Sequence, residues 1–331
     1  METTRRAALE MMSAAALTMA GITAAKAQDQ PKPRSRDKSI LWVASPTPCD
    51  RNLKVDVGAM RAQMQWFEHN GADGITVLGS GGEFPSFSMA ERKSIMEVAG
   101  KNKGKMNIMC TTGTCNFPET IELSKHAADH GADCTLVVPP FYYKNVSDEG
   151  LRNYFSLVLE ASPQELGVHL YHVPGYSGVP LSNGLIASLK HYPNLAGVKD
   201  SGDDMAGYVN RVKNFPDLNI SSGTFPKLEY GLQHGMGGVL SEGVLLCRPI
   251  ADMFAASRAG KDIHAEFAKV TAQMDVLYKE CPKMEAYGPM KYALSVLMGT
   301  PQTYPRPPAV DVTEEQKAAI RKGLEQVKKM G

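Results

Sequence analysis

Short apolar runs alternate along this chain with longer stretches in which apolar residues recur every three to four positions. The runs lie near residues 39–46, 74–79, 106–111, 134–139, 167–173, 195–199, 218–222 and 237–241. Apolar runs of this length predict strands buried on both faces, and the stretches between them, such as 57–69, 89–101 and 118–130, predict amphipathic helices. One junction recurs. Glu68-His69-Asn70-Gly71-Ala72-Asp73 and Asp129-His130-Gly131-Ala132-Asp133 each set a glycine where a helix ends and an apolar run follows, and Gln233-His234-Gly235 opens a degenerate third copy. Glycine there predicts a left-handed cap and a tight turn into the next strand. Eight such units over about 220 residues match a closed (β/α)8 barrel better than an open sheet. The chain is therefore predicted to be α/β: a TIM barrel over 39–261 followed by a C-terminal helical extension over 262–331. Helical patterns in the extension cover 263–278, 288–298 and 313–329, with a proline-rich segment at 301–308.

Ahead of residue 39 the pattern changes. Arg5-Arg6 precedes an apolar, alanine-rich stretch at 11–23 and then Ala25-Lys26-Ala27. A basic start, a short apolar centre and a small-residue cleavage site predict an export signal over 1–27, cut after Ala27. The paired arginines point to the twin-arginine route and a periplasmic enzyme. The stretch is too short and too rich in alanine for a membrane span. Residues 28–38, rich in Pro, Lys and Arg, are expected to be a flexible lead-in. With 36 basic against 35 acidic residues the net charge is +1, so the chain lacks the basic footprint of a nucleic-acid binder and has no charge-driven pull toward a membrane. Six cysteines show no C-x-x-C spacing and mostly sit in apolar runs, which predicts buried thiols. His126 and His130 are four apart, but the Ala-Ala-Asp between them lacks the glutamate of a zinc-protease helix, so two histidines on one exposed helix face are expected and no metal site.

The chemistry concentrates at the ends of two successive runs, Leu170-Tyr171-His172-Val173-Pro174-Gly175 and Gly197-Val198-Lys199-Asp200-Ser201. A lysine among apolar residues has its neutral amine favoured by desolvation, and the amine attacks carbonyls. A tyrosine beside it supplies a phenol that passes protons. Taken singly, Lys199 reads as a snorkelling strand end and Tyr171 as half-buried packing. At the ends of adjacent barrel strands they share the face where such barrels place their sites, along with Ser80 after strand two and Tyr142 after strand four. Gly79-Ser80-Gly81-Gly82 lacks the third glycine of a dinucleotide loop; its strand–glycine–Glu83 context favours a cradle of backbone N–H groups for a carboxylate.

Together with Pro140-Phe141-Tyr142-Tyr143 and Gly79-Ser80-Gly81-Gly82-Glu83, these strings make the chain resemble the dihydrodipicolinate synthase / N-acetylneuraminate lyase family of Schiff-base aldolases, from about residue 39 to 329. The resemblance implies an imine with a 2-oxo acid, usually pyruvate, no metal or organic cofactor, and a homo-oligomer, tetramer or dimer. It makes Lys199 the imine-forming lysine, Tyr171 the proton shuttle and Ser80 the hydroxyl that relays to it. Backbone at Ser80, Gly81 and Gly82 would hold the carboxylate. Tyr142 resembles the tyrosine that members insert into a neighbouring subunit's site, with Tyr143 as the alternative. Two departures separate the chain from the synthases themselves: Gly81 stands where they carry a second hydroxyl, and Tyr176 where they carry an arginine. Gly-Glu-Phe-Pro at 82–85, Lys-Asp-Ser-Gly at 199–202 and Arg306-Pro307-Pro308 are similar to 4-hydroxy-2-oxoglutarate and 2-keto-3-deoxy-sugar-acid aldolases, by which Ser201 contacts substrate. The expected function is a lyase acting on a small 4-hydroxy-2-oxo or 2-keto-3-deoxy acid. A dehydratase using the same imine, a synthase-like condensation and a non-catalytic periplasmic binding protein stay open as alternatives, and His172 and Glu242 are left without a role.

Overall fold

The computed structural model describes residues 38–331 apart from Asp203, Lys283 and Glu285, so the export signal read over 1–27 lies outside the described residues, as does the lead-in up to residue 37. Eight parallel strands close on themselves: β1 (Leu41–Ala44), β2 (Gly74–Val77), β3 (Asn107–Thr111), β4 (Cys134–Val137), β5 (Gly167–His172), β6 (Leu195–Asp200), β7 (Asn219–Ser222) and β8 (Gly238–Leu240), with β8 paired back onto β1. Between them run α1 (Val57–His69), α2 (Met89–Lys101), α3 (Phe117–Asp129), α4 (Asp148–Ala161), the single turn α5 (Pro174–Ser177), α6 (Asn183–Leu189), α7 (Met205–Asn214) and α8 (Leu228–Gln233). The barrel's last helix, α9 (Cys247–Arg258), is followed by α10 (His264–Glu280), α11 (Tyr287–Met298) and α12 (Glu314–Lys329).

The recurring junction behaves as its glycines predict. Gly71, Gly131 and Gly235 have φ of +90°, +84° and +72°, the left-handed region that ends each helix. The aspartates of the first two copies add a function that spacing alone does not show. Asp73 accepts the Leu41 N–H at 3.0 Å and Asp133 accepts the Ile108 N–H at 2.8 Å, so each carboxylate satisfies an amide near the start of the preceding strand. Arg258 holds Asp73 in place at 2.7 Å.

Strand alternation then sorts the side chains. Val168, Leu170, Val198 and Ile220 face outward into an apolar layer with Phe155, Leu185 and Leu189. The intervening His169, Tyr171, Lys199 and Ser221 therefore point into the barrel. Burial pushes the His169 imidazole down to about 4. Burial, and then the positive charge of Arg211, do the same to His172, which faces outward. Both rings are neutral in the fold at pH 7. Between the ordinary value of 6.5 and about 4 the unfolded chain binds more protons than the native one, so stability falls as pH drops through that window and is level above it. Each ring should cost on the order of 2–3 kcal/mol by pH 4.5. Urea unfolding should show a clearly lower midpoint at pH 4.5 than at pH 7, less so in His172→Gln. Equal midpoints in the native sequence would show that neither imidazole is held neutral.

Candidate active site

Tyr171 of β5 and Lys199 of β6 are register partners, so one pleat brings both side chains into the barrel side by side. They are 3 % and 5 % exposed, and the Lys199 Nζ lies 4.4 Å from the centre of the Tyr171 ring. On its other flank Lys199 is in register with Ser221, so its slot is aromatic on one side and hydroxylic on the other, less apolar than Val198 and the strand pattern imply. The next residue, Asp200, turns to the opposite face of the sheet. There it pairs with Arg211 and, at 2.8 Å, with Lys227. Consequently no carboxylate among the described residues forms an ion pair with Lys199, although an aspartate adjoins it in sequence. The Gly202 N–H donates to the same Asp200 carboxylate at 3.0 Å and Lys227 donates to the Gly202 carbonyl, which anchors the chain just after Ser201.

Ser80 arrives from the loop after β2, its Oγ 3.3 Å from the Tyr171 phenol oxygen. Burial alone would raise the Tyr171 phenol above its ordinary 10. The Lys199 charge and hydrogen bonds with Ser80, Lys199 and Ser201 together outweigh it, and the phenol is held below that value. A phenol of this kind gives up and regains a proton more readily than a free tyrosine.

The glycine loop is wound tightly. The Gly82 N–H donates to the Gly79 carbonyl and the Glu83 N–H to the Ser80 carbonyl, both at 3.0 Å. The N–H groups of Ser80 and Gly81 make no hydrogen bond among the described residues. The cradle expected over 80–82 is thus narrower than the string implies, because the Gly82 amide is spent on the turn. A Cβ on Gly82 would stand 2.9 Å from the Leu78 amide nitrogen, so glycine is required there; a Cβ on Gly81 would meet nothing closer than the Ala44 carbonyl at 3.8 Å. Steric pressure therefore does not account for the missing hydroxyl at Gly81.

Residues 38–327 match the dihydrodipicolinate synthetase family. The chain belongs to this family. It is 31 % identical over 281 residues to an uncharacterized DapA-like lyase of Chloroflexus aurantiacus, covering 82 % of this chain and 91 % of that protein. It is 31 % identical over 288 residues to the 4-hydroxy-tetrahydrodipicolinate synthase of Prochlorococcus marinus, covering 86 % and 93 %. Among solved structures, the prophage protein YagE of E. coli K12, crystallised with pyruvate, superposes with a TM-score of 0.80 at 27 % identity, covering 88 % of this chain and 98 % of YagE. This member of the dihydrodipicolinate synthetase family is accordingly an enzyme, a lyase on the class I pyruvate aldolase fold.

Within this family member the structure brings together Lys199, Tyr171, Ser80, Gly81 and Ser201, whose hydroxyl also donates to the Gly223 carbonyl at 3.4 Å. Tyr142 stands apart from that group. It lies beyond β4, 78 % exposed, edge-on to Tyr143 with ring centres 5.8 Å apart. His172 and Glu242 have structural partners. The His172 Nδ1 accepts the Leu181 N–H at 3.1 Å, and Glu242 accepts the Phe225 N–H at 3.2 Å.

Three residues of the C-terminal extension reach the site, of which only Arg306 stands in a string that the sequence singles out. Tyr287, at the start of α11, walls a pocket of about 170 Å³ that opens from Ser80. Lys291, one turn further on and fully buried, pairs with Glu83 of the glycine loop and donates to the Tyr304 carbonyl at 2.9 Å. The Arg306 N–H donates to Glu83 at 2.7 Å, and its guanidinium lies 4.1 Å from the Phe87 ring centre while gripping Glu91. The Arg306-Pro307-Pro308 string thus clamps the loop that carries Ser80. None of the six cysteines is joined in a disulfide among the described residues. His126 and His130 stack at 4.0 Å with Glu97 at 3.1 Å from His126, near the start of β4 and so at the end of the barrel away from Lys199.

Proposed function

We propose that this lyase forms an imine between Lys199 and a 2-oxo acid, and cleaves a 4-hydroxy-2-oxo or 2-keto-3-deoxy acid to pyruvate and an aldehyde. One observation carries the proposal: a buried lysine with no carboxylate partner among the described residues lies against a buried tyrosine whose phenol is hydrogen-bonded to Ser80. The free N–H groups of Ser80 and Gly81 support it as the seat of the substrate carboxylate. In the proposed cycle the Lys199 amine attacks C2, and the carbonyl oxygen leaves as water with one proton from the amine and one from Tyr171. The nitrogen keeps its second proton, and the protonated imine becomes an electron sink. The Tyr171 phenolate next takes the proton of the C4 hydroxyl. The C3–C4 bond breaks, its electron pair moves into the imine as an enamine, and the aldehyde departs. Tyr171 returns the proton to C3, and water hydrolyses the pyruvate imine.

Tyr142 belongs to the same proposal as a residue that enters a neighbouring copy's site in a homo-oligomer, supported by its exposure beside the barrel mouth. Light scattering that finds a monomer at assay concentration would remove this part. For the imine, the test is pyruvate with borohydride followed by peptide mass spectrometry. The expected result is a reduced adduct on Lys199. No adduct, or one on a different lysine, would overturn the function proposed here.

A further inference from the structure

We propose that the part of the substrate beyond C4 is uncharged and mainly apolar, an aryl or alkyl group, and that Tyr176 and Tyr287 select it. This rests on the imine reading above and narrows its substrate class. The pocket that would receive this part of the substrate begins at Ser80, one hydrogen bond from Tyr171. Phe84, Val138, Phe141 and Val173 supply apolar walls, with Phe84 and Phe141 packed edge to face at 5.9 Å. Its volume, about 170 Å³, compares with the roughly 150 Å³ of an apolar cavity that accommodates benzene.

The polar groups on these walls are mostly engaged already. Ser80 is bonded to Tyr171, and the Ser177 hydroxyl donates toward the Val173 and Val179 carbonyls while accepting the Val179 N–H. The phenols of Tyr176 and Tyr287 are the remaining side-chain polar groups lining the pocket, and neither has a hydrogen-bond partner among the described residues. Among the described residues no lysine, arginine or histidine lines it. The cations nearby are committed elsewhere, Lys291 to Glu83 and Lys144 to the carbonyls of Phe141 and Ser177. Burial above all, then the neighbouring Tyr176, Glu83 and Tyr171, push the Tyr287 phenol above its ordinary value, so it stays protonated and uncharged near neutral pH. A second carboxylate or a phosphate would lose its water here with no cation in return. A polyhydroxylated tail would find two phenols and otherwise hydrocarbon.

The test uses the full chain and three 4-hydroxy-2-oxo acids: one with a phenyl group at C4, 4-hydroxy-2-oxoglutarate, and a polyhydroxylated 2-keto-3-deoxy acid. Pyruvate release should give the phenyl compound a kcat/KM at least about tenfold above both others. Tyr176→Arg, at a position 74 % exposed, should move the ratio of phenyl to dicarboxylate by roughly ten- to a hundredfold toward the dicarboxylate, the worth of one charge-assisted contact. Tyr176→Phe should leave the phenyl preference standing. Preference for the dicarboxylate or the polyol, or cleavage of none of the three, would overturn the inference. The pyruvate adduct on Lys199 is scored separately: if it forms while the preference fails, the imine stands and the substrate class falls; if it does not form, the function itself falls.

Discussion

Lys199→Ala is expected to lower turnover by roughly 10⁴–10⁶-fold and to abolish the borohydride-trapped pyruvate adduct. The size follows from what the amine alone can do. Ser80 and Tyr171 can hold a substrate and move protons, but without the imine the carbanion left by C3–C4 cleavage has no electron sink within the pair. Binding should survive better than turnover, since the Ser80 and Gly81 amides are untouched. The protein should fold: Lys199 forms no ion pair among the described residues, so its removal leaves no buried carboxylate uncompensated, unlike Asp200→Ala, which would strand Arg211 and Lys227. Circular dichroism and thermal melting of the variant provide the control. Turnover within tenfold of the native enzyme in a folded Lys199→Ala would assign the chemistry to other residues.

Tyr171→Phe is expected to cost about 10²–10⁴ in kcat, the usual worth of a positioned proton-transfer group. The ring stays, so the face against which Lys199 packs at 4.4 Å is preserved and the imine should still form, more slowly. Losing the phenol removes the 3.3 Å contact with Ser80 and the bonds with Lys199 and Ser201, each worth about 1 kcal/mol, so melting should fall by several degrees while the fold persists. The informative measurement is therefore a split: trapping of pyruvate on Lys199 largely retained, steady-state cleavage largely lost. The pH profile gives a second readout. Because the phenol is held below its ordinary value, the native enzyme's basic limb should appear at lower pH than a free tyrosine would give, and that limb should disappear in Tyr171→Phe. Native-like kcat with an unchanged basic limb would make Tyr171 a packing residue.

Much of this protein is determined by local pattern. A strand buried on both faces must be apolar along its length, and a helix covering it must be amphipathic, so eight repeats of that alternation specify a barrel. The glycines at 71, 131 and 235 announce helix ends because the left-handed cap strongly favours glycine. The Tyr171–Lys199 pair was legible for a related reason. Parallel strands of a barrel hold their ends level, so two reactive residues at the ends of successive strands fall on one pleat at one mouth.

What lay beyond local pattern depends on contacts between residues far apart in the chain. Asp200 adjoins Lys199 in sequence; the period of two turns it to the other face, and only the fold brings Arg211 and Lys227 to it there. Gly82 reads as part of the carboxylate cradle, yet the loop's own closure consumes its amide. Tyr287, Lys291 and Arg306 sit in an extension that reads as appended to the barrel, and nothing in a helical pattern tells which helix end will land at the mouth. Periodicity specifies which face of an element is buried; the place where that face docks is decided by the packing of the whole chain. The sequence by itself therefore determined the barrel and the side-by-side placement of Tyr171 and Lys199, while the tertiary structure decided which side chains wall the pocket and clamp the loop that carries Ser80.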